Sequence, residues 1–214
     1  MKRILLAVTF SFMLFQFSTV GREKKQTLPP EIAAVEKSVL AYIPDARYPD
    51  DPFVLVAVKE ALAGWREGNG GVGACLVHED TGEIVERGHN RQFEPHFRSD
   101  LHAEMDLLTR YEERIKAQRL NNSPVPQAQQ RKIEGLVLYT SVEPCPMCLS
   151  RIINIGLKKT YYAAPDPSGG MALKIQNLPP FWQELAAGRT FEAARCSPEL
   201  AALAKALFRP MIRK

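Results

Sequence analysis

The chain has 214 residues, 45% hydrophobic and 24% charged, which suits one globular domain with an ordinary core. Two of the cations behind its formal charge of +4, Lys2 and Arg3, lie at the extreme N-terminus. The remainder is too weakly basic to imply a nucleic-acid surface, so charge alone argues for a small substrate. No internal repeat or low-complexity tract is present.

Taken in chain order, Met1-Lys2-Arg3 and the apolar run from Ile4 to Val20 read as an export signal, too short for comfortable membrane spanning. Thr19 and Gly21 form the best small-residue pair for cleavage, but Arg22, Lys24 and Lys25 follow at once. The expectation is a periplasmic or secreted protein, with an uncleaved membrane anchor over 1–21 as the alternative. Residues 22–50, punctuated by Pro29, Pro30, Pro44 and Pro49, read as a linker or surface wrap with a short helix over 32–40. Residues 51–214 form the folded domain and its helical C-terminal extension.

Within that domain Asp51-Pro52 predicts a helix cap and first-turn proline, and Val54, Val58, Ala61, Leu62 and Trp65 recur on one face up to Gly68. Residues 73–78 and 83–88 are strand-like around the turn 79–82, making a hairpin. His89 and Asn90 then leave the sheet, and the loop carrying Phe93, Pro95, His96 and Phe97 walls a pocket. Ser99 or Asp100 is expected to cap a helix that begins near His102 and keeps Met105, Leu108, Tyr111 and Ile115 at helical spacing. Residues 121–130 are a solvated loop. Residues 135–141 and 158–164 read as strands, and the Cys-containing helix through Ile155 joins them in a right-handed βαβ unit with parallel strands. The turn-rich loop 165–170 connects onward and could border a site; 198–208 is a further helix.

The chemistry lies in His102-Ala103-Glu104 and Pro144-Cys145-Pro146-Met147-Cys148. Two cysteines one turn apart at a helix start put both sulfurs on one face, where orphan backbone N–H groups favour thiolates; Pro144 suits the first turn. With His102 as third ligand, zinc keeps one tetrahedral position for water. Glu104 lies about 200° around a helix from His102, so it does not chelate beside it. It is instead the proton shuttle of a hydrolysis. Taken singly, Cys-x-x-Cys also suits a structural zinc half-site or a redox pair, and His-x-Glu an ordinary helix start. A closed structural site would need a fourth ligand from Cys75, His78, His89 or His96. Cys75 reads as a buried small hydrophobe, and no bridge to Cys196 is expected.

In this order the two motifs are the H-x-E and P-C-x-x-C pattern of zinc-dependent nucleobase and nucleoside deaminases. Residues 53–164 resemble the cytidine deaminase-like superfamily, especially its guanine, cytosine and tRNA adenosine deaminase branch. The resemblance implies a three-layer α/β/α fold with a mixed, roughly five-stranded sheet, and a homodimer. It implies Zn2+ on His102, Cys145 and Cys148, with Glu104 moving protons. Asn90, in Gly88-His89-Asn90-Arg91, matches the position that orients the substrate ring, and the backbone N–H of Cys145 helps position water or substrate. The implied reaction is hydrolytic deamination of a free nucleobase or nucleoside. Guanine is placed first because Pro-Cys-Pro-Met-Cys resembles the guanine and cytosine enzymes. The alternatives are a polynucleotide-directed (RNA or DNA) deaminase and a non-catalytic zinc-stabilised binding module.

Overall fold

The computed structural model describes residues 27–121 and 133–208. The leader expected over 1–21 and nearly all of the solvated loop after Asn121 lie outside the described residues. No helix among the described residues is long and apolar enough to cross a membrane.

The elements run α1 (Pro30–Ala41), α2 (Asp51–Arg66), β1 (Gly73–His78), β2 (Ile84–His89), α3 (Ala103–Leu120), β3 (Leu136–Val142), α4 (Pro146–Ile155) and β4 (Lys159–Ala164). A short 3-10 helix (Ala172–Asn177), α5 (Pro180–Ala186), β5 (Thr190–Ala193) and α6 (Pro198–Leu207) complete the described chain. They build one five-stranded sheet in the order β2-β1-β3-β4-β5. Strand β1 is antiparallel to both β2 and β3, whereas β3, β4 and β5 run parallel. The expected mixed sheet between helical layers is the fold observed.

Side-chain alternation divides the core in two. Ala74, Leu76, Leu136 and Leu138 face α3 and α4, packing with Leu107, Leu108, Leu149 and Ile152. Their neighbours Cys75, Val77, Val137 and Tyr139 face the other way, onto Val54, Val58 and Leu62 of α2 and Leu200 and Leu207 of α6. Central strand β3 is buried along its whole length, as expected of a strand covered on both faces. The proline-punctuated wrap is anchored to this second layer through Ile32 and Val39 of α1, both fully buried.

Three helix starts differ from the sequence expectation. Asp50, not Asp51, is the N-cap residue of α2, and no side chain caps it; both carboxylates are turned to other partners. The N-cap of α3 is His102 itself rather than Ser99 or Asp100. That of α4 is Cys145, with Pro146 rather than Pro144 in the first turn. Pro144 stays outside the helix, where its carbonyl accepts from Met171 N. His89, expected to have left the sheet, closes β2 opposite Gly73.

Candidate metal centre and cleft

Two helix starts meet at the carboxyl end of β3, the place where open α/β sheets form their sites. Both N-cap residues, His102 and Cys145, have extended backbone and the next residue continues as helix. Cys148 stands in the first turn of α4, fully buried. Ligand atoms of His102, Cys145 and Cys148 all lie within 4.8 Å of one another, and among the described residues no further His, Cys, Asp or Glu joins this group. A tetrahedral zinc with N and S ligands needs donors roughly 3.5–3.8 Å apart. Cys145 Sγ is 3.6 Å from His102 Nδ1, so the trio fits the ion.

Cys75 and His89, two of the possible fourth ligands, have other partners. Cys75 is buried, its thiol 3.4 Å from the Phe53 carbonyl, and neither it nor Cys196 is in a disulfide. His89 is engaged by two carboxylates, at 2.9 Å and 3.0 Å. Among the described residues, none supplies the fourth protein ligand that a closed structural site requires.

The two sulfurs divide charge unequally. A hydrogen bond from Cys148, helped by His102, outweighs burial and draws the Cys145 thiol down to about 4. Cys148 is pushed up by its bond to Cys145 and by burial. The hydrogen bond to Cys145 raises His102 despite burial. Glu104, 3% exposed at the start of α3, has its carboxyl raised by burial and then by the Cys145 charge. Thr140 Oγ1 reaches its Oε1 at 3.4 Å.

Above the trio opens a cleft of about 280 Å³, lined by His102, Glu104, Cys145 and Asn90 together with Gly70, Val72, Gln92, Phe93, Glu143, Asp166 and Phe208 among others. The structure thus brings every sequence-predicted site residue to this cleft or its floor. Asn90 is buried, its Oδ1 accepting from Gly70 N at 3.3 Å and Gln92 N at 3.1 Å, its Nδ2 donating to Gln92 Oε1 at 2.8 Å. Of the loop expected to wall the pocket, Gln92 and Phe93 line it, whereas Phe97 is 58% exposed.

Sequence reading overlooked Glu143, the 70–72 turn and Phe208. Glu143 is buried, and its carboxylate accepts from Asp166 N and Leu173 N, both at 3.0 Å, tying down the 165–173 loop. Gly170 permits this approach: a Cβ there would lie 2.3 Å from Glu143 Cδ. The glycine run Gly68-Asn69-Gly70-Gly71 was the available sign of close backbone packing at the wall.

Metal-ligating helix starts facing across a parallel strand end, beside a carboxyl that does not ligate, define a zinc-dependent deaminase of the cytidine deaminase-like fold. Residues 48–164 match the cytidine and deoxycytidylate deaminase zinc-binding region, and the chain belongs to that family. It is 34% identical over 129 residues to the tRNA-specific adenosine deaminase of Bacillus subtilis (strain 168), covering 60% of this chain and 70% of that protein. With the tRNA-specific adenosine deaminase of Aquifex aeolicus (strain VF5) it shares 30% over 126 residues, 59% of this chain and 73% of the relative. Among solved structures, one from work on tRNA:A34 deaminases superposes with TM-score 0.56 at 22% identity, covering 73% of this chain and 99% of that one. Guanine deaminase from Nitrosomonas europaea does so with TM-score 0.52 at 19% identity, covering 84% and 92%. These two likenesses concern the fold.

Proposed function

We propose that this protein hydrolyses the exocyclic amine of a nucleobase, exchanging it for oxygen and releasing ammonia. The observation that carries the reading is the buried Glu104 carboxyl beside the His102, Cys145 and Cys148 trio, at the floor of a cleft of about 280 Å³. His102, Cys145 and Cys148 would hold the zinc, which when bound would lower the pKa of a water to about 7. Glu104 would take one proton of the attacking water and pass it to the ring nitrogen, then carry the proton of the newly added hydroxyl to the amine as that oxygen becomes the carbonyl. A C–O bond forms, the C–N bond breaks, and ammonia leaves. With its Oδ1 taken by Gly70 N and Gln92 N and one amide hydrogen by Gln92 Oε1, Asn90 offers its second Nδ2 hydrogen to the ring edge, and the Cys145 N–H, at the start of α4, adds a further donor.

The substrate proposed is a free base or nucleoside, with guanine ranked first on the Pro-Cys-Pro-Met-Cys segment. The cleft's volume of about 280 Å³ is at the small end of ligand pockets. Its described lining contains Glu104, Glu143 and Asp166 and no Lys or Arg, a surface better matched to N–H groups than to phosphates. Export directed by residues 1–21 would also separate the chain from intracellular tRNA. The second reading, adenosine within tRNA, is supported by the identity to the Bacillus and Aquifex enzymes. A homodimer is part of the proposal, to be checked by solution mass.

The test is ammonia release from guanine, adenine, cytosine, their nucleosides and an anticodon stem-loop, with zinc measured on the same sample. Release from a small substrate alone supports the first reading, and release from the stem-loop alone the second. A zinc-replete protein inert towards all of them would overturn both.

A further inference from the structure

We infer that His89 is an imidazolium clamp that sets the position of Asn90, so that substrate binding weakens as the clamp loses its proton at rising pH. The functional half of this inference rests on the proposed role of Asn90 in orienting the base.

His89, the last residue of β2, is 5% exposed. Its Nδ1 lies 2.9 Å from Glu60 Oε2 and its Nε2 lies 3.0 Å from Glu67 Oε2. A neutral imidazole has one N–H and one lone pair, whereas ionised carboxylates only accept. Both contacts are satisfied together only when both ring nitrogens carry protons. Helix α2 supplies Glu60 and Glu67. The segment after β2 supplies Arg91, 3.8 Å from Glu67 and 3.5 Å from Asp106. Helix α3 supplies Asp106, itself 3.2 Å from Arg110. Burial opposes protonation of the ring, but the bonds to Glu60 and Glu67 outweigh it and the pKa is raised.

The cradle is written in the spacing of α2. Glu60, Gly64 and Glu67 recur at four and three residues and so share one helix face. Gly64 is where the strand end comes nearest: a Cβ there would lie 2.7 Å from the Gly70 carbonyl and 3.7 Å from His89 Cβ. Glu67 is also the C-cap residue of α2, where the negative end of the helix dipole disfavours a carboxylate and an adjacent cation offsets it. One residue beyond the clamp, Asn90 N donates to the Val72 carbonyl at 2.9 Å and Asn90 Oδ1 accepts from Gly70 N. The turn that ends α2 and the Asn90 side chain therefore form one wall of the cleft, and His89 ties them together. Loss of one ring proton sets a lone pair against a carboxylate and loosens that wall.

The test uses the zinc-loaded full chain. Imidazole nitrogen NMR across pH 6–9 reads the His89 protonation state, with His89→Gln for assignment, while the Gly70 and Asn90 amides report the wall. Expected are two protonated nitrogens at neutral pH, and Gly70 and Asn90 signals that move with the His89 titration and not in His89→Gln. For whichever small substrate releases ammonia, KM should rise about tenfold across that titration with kcat little changed, the size expected for a lost charge-assisted bond. Glu67→Gln should move the midpoint of both the NMR and the KM transition to lower pH, a displacement that general loosening of the fold would not produce. A neutral His89 ring at pH 7, or amides indifferent to its titration, would overturn the clamp. So would a KM profile unaltered in His89→Gln. If no substrate turns over, the deamination reading fails by itself, and the NMR titration still decides the clamp.

Discussion

His102 Nδ1 and Cys145 Sγ lie 3.6 Å apart although 43 positions separate the residues in the chain. Each is the extended residue from which a helix departs, with ψ of 163° at His102 and 170° at Cys145. Two separate helix starts thus aim their first side chains at one point. Replacing His102 by Ala removes one of three ligands, and zinc affinity should fall by more than the ~10–100-fold typical of losing a mere outer-shell partner. Zinc content after dialysis against a competing chelator measures this. Full retention of the metal would place the ion elsewhere.

Glu104 sits at the same convergence without joining the ligands. Glu104→Gln preserves volume and removes the transferable proton, so zinc content should match wild type while kcat drops by about 10²–10⁴-fold. Parallel metal analysis and ammonia assays check both halves. A variant that lost its zinc would show instead that Glu104 acts by holding the metal.

Why were these residues readable when the cleft's walls were not? The ligands depend on local spacing: His-x-Glu and Cys-x-x-Cys behave the same way at any helix start. The cap of α3 differs from the expectation because Ser99 and Asp100 have the stronger capping preference, whereas His102 itself takes the extended backbone. Gly70, Glu143 and Phe208 reach the cleft only through long-range packing: β1 inserts between β2 and β3, and α6 folds back on α2. Strand β5 was invisible for a related reason. Its four residues, Thr190–Ala193, bury only Phe191 and are held in the sheet by parallel pairing with β4.

Glu143 shows how such a wall residue acts. Its two oxygens accept one backbone N–H each, from Asp166 and Leu173. In Glu143→Gln one of those N–H groups faces an amide NH2, and a buried donor without a partner costs about 1–3 kcal/mol. A chain of this size should lose about 2–4 °C of melting temperature per kcal/mol. Scanning calorimetry of the zinc-loaded variant reads this, and KM for the active substrate should rise as the 165–173 loop loosens. An unchanged melt and KM would reduce Glu143 to a bystander.

At the opposite end of α2, Asp51 joins three segments that a linear reading keeps apart. Fully buried, it accepts from Ser197 N at 2.7 Å, from Asp45 N at 3.1 Å and from the Tyr42 hydroxyl. Ser197 also caps α6 through its contact with Leu200 N at 3.1 Å. Asp51→Ala leaves these donors to find other partners and should destabilise the fold by about 1–3 kcal/mol for each that stays unpaired, read as a lower midpoint in urea. The same junction has a pH signature. Burial, and then the bond to Asp51, raise the Tyr42 hydroxyl from 10.0 to about 12. Because its folded pKa lies above the unfolded one, its contribution is complete below pH 10 and is lost as pH climbs towards 12. Urea melts from pH 9 upward should therefore show wild type losing stability through that window more steeply than Tyr42→Phe, which has no proton to release. Parallel losses in the two proteins would place the alkaline sensitivity in other groups and leave Asp51 without its phenolic donor in solution.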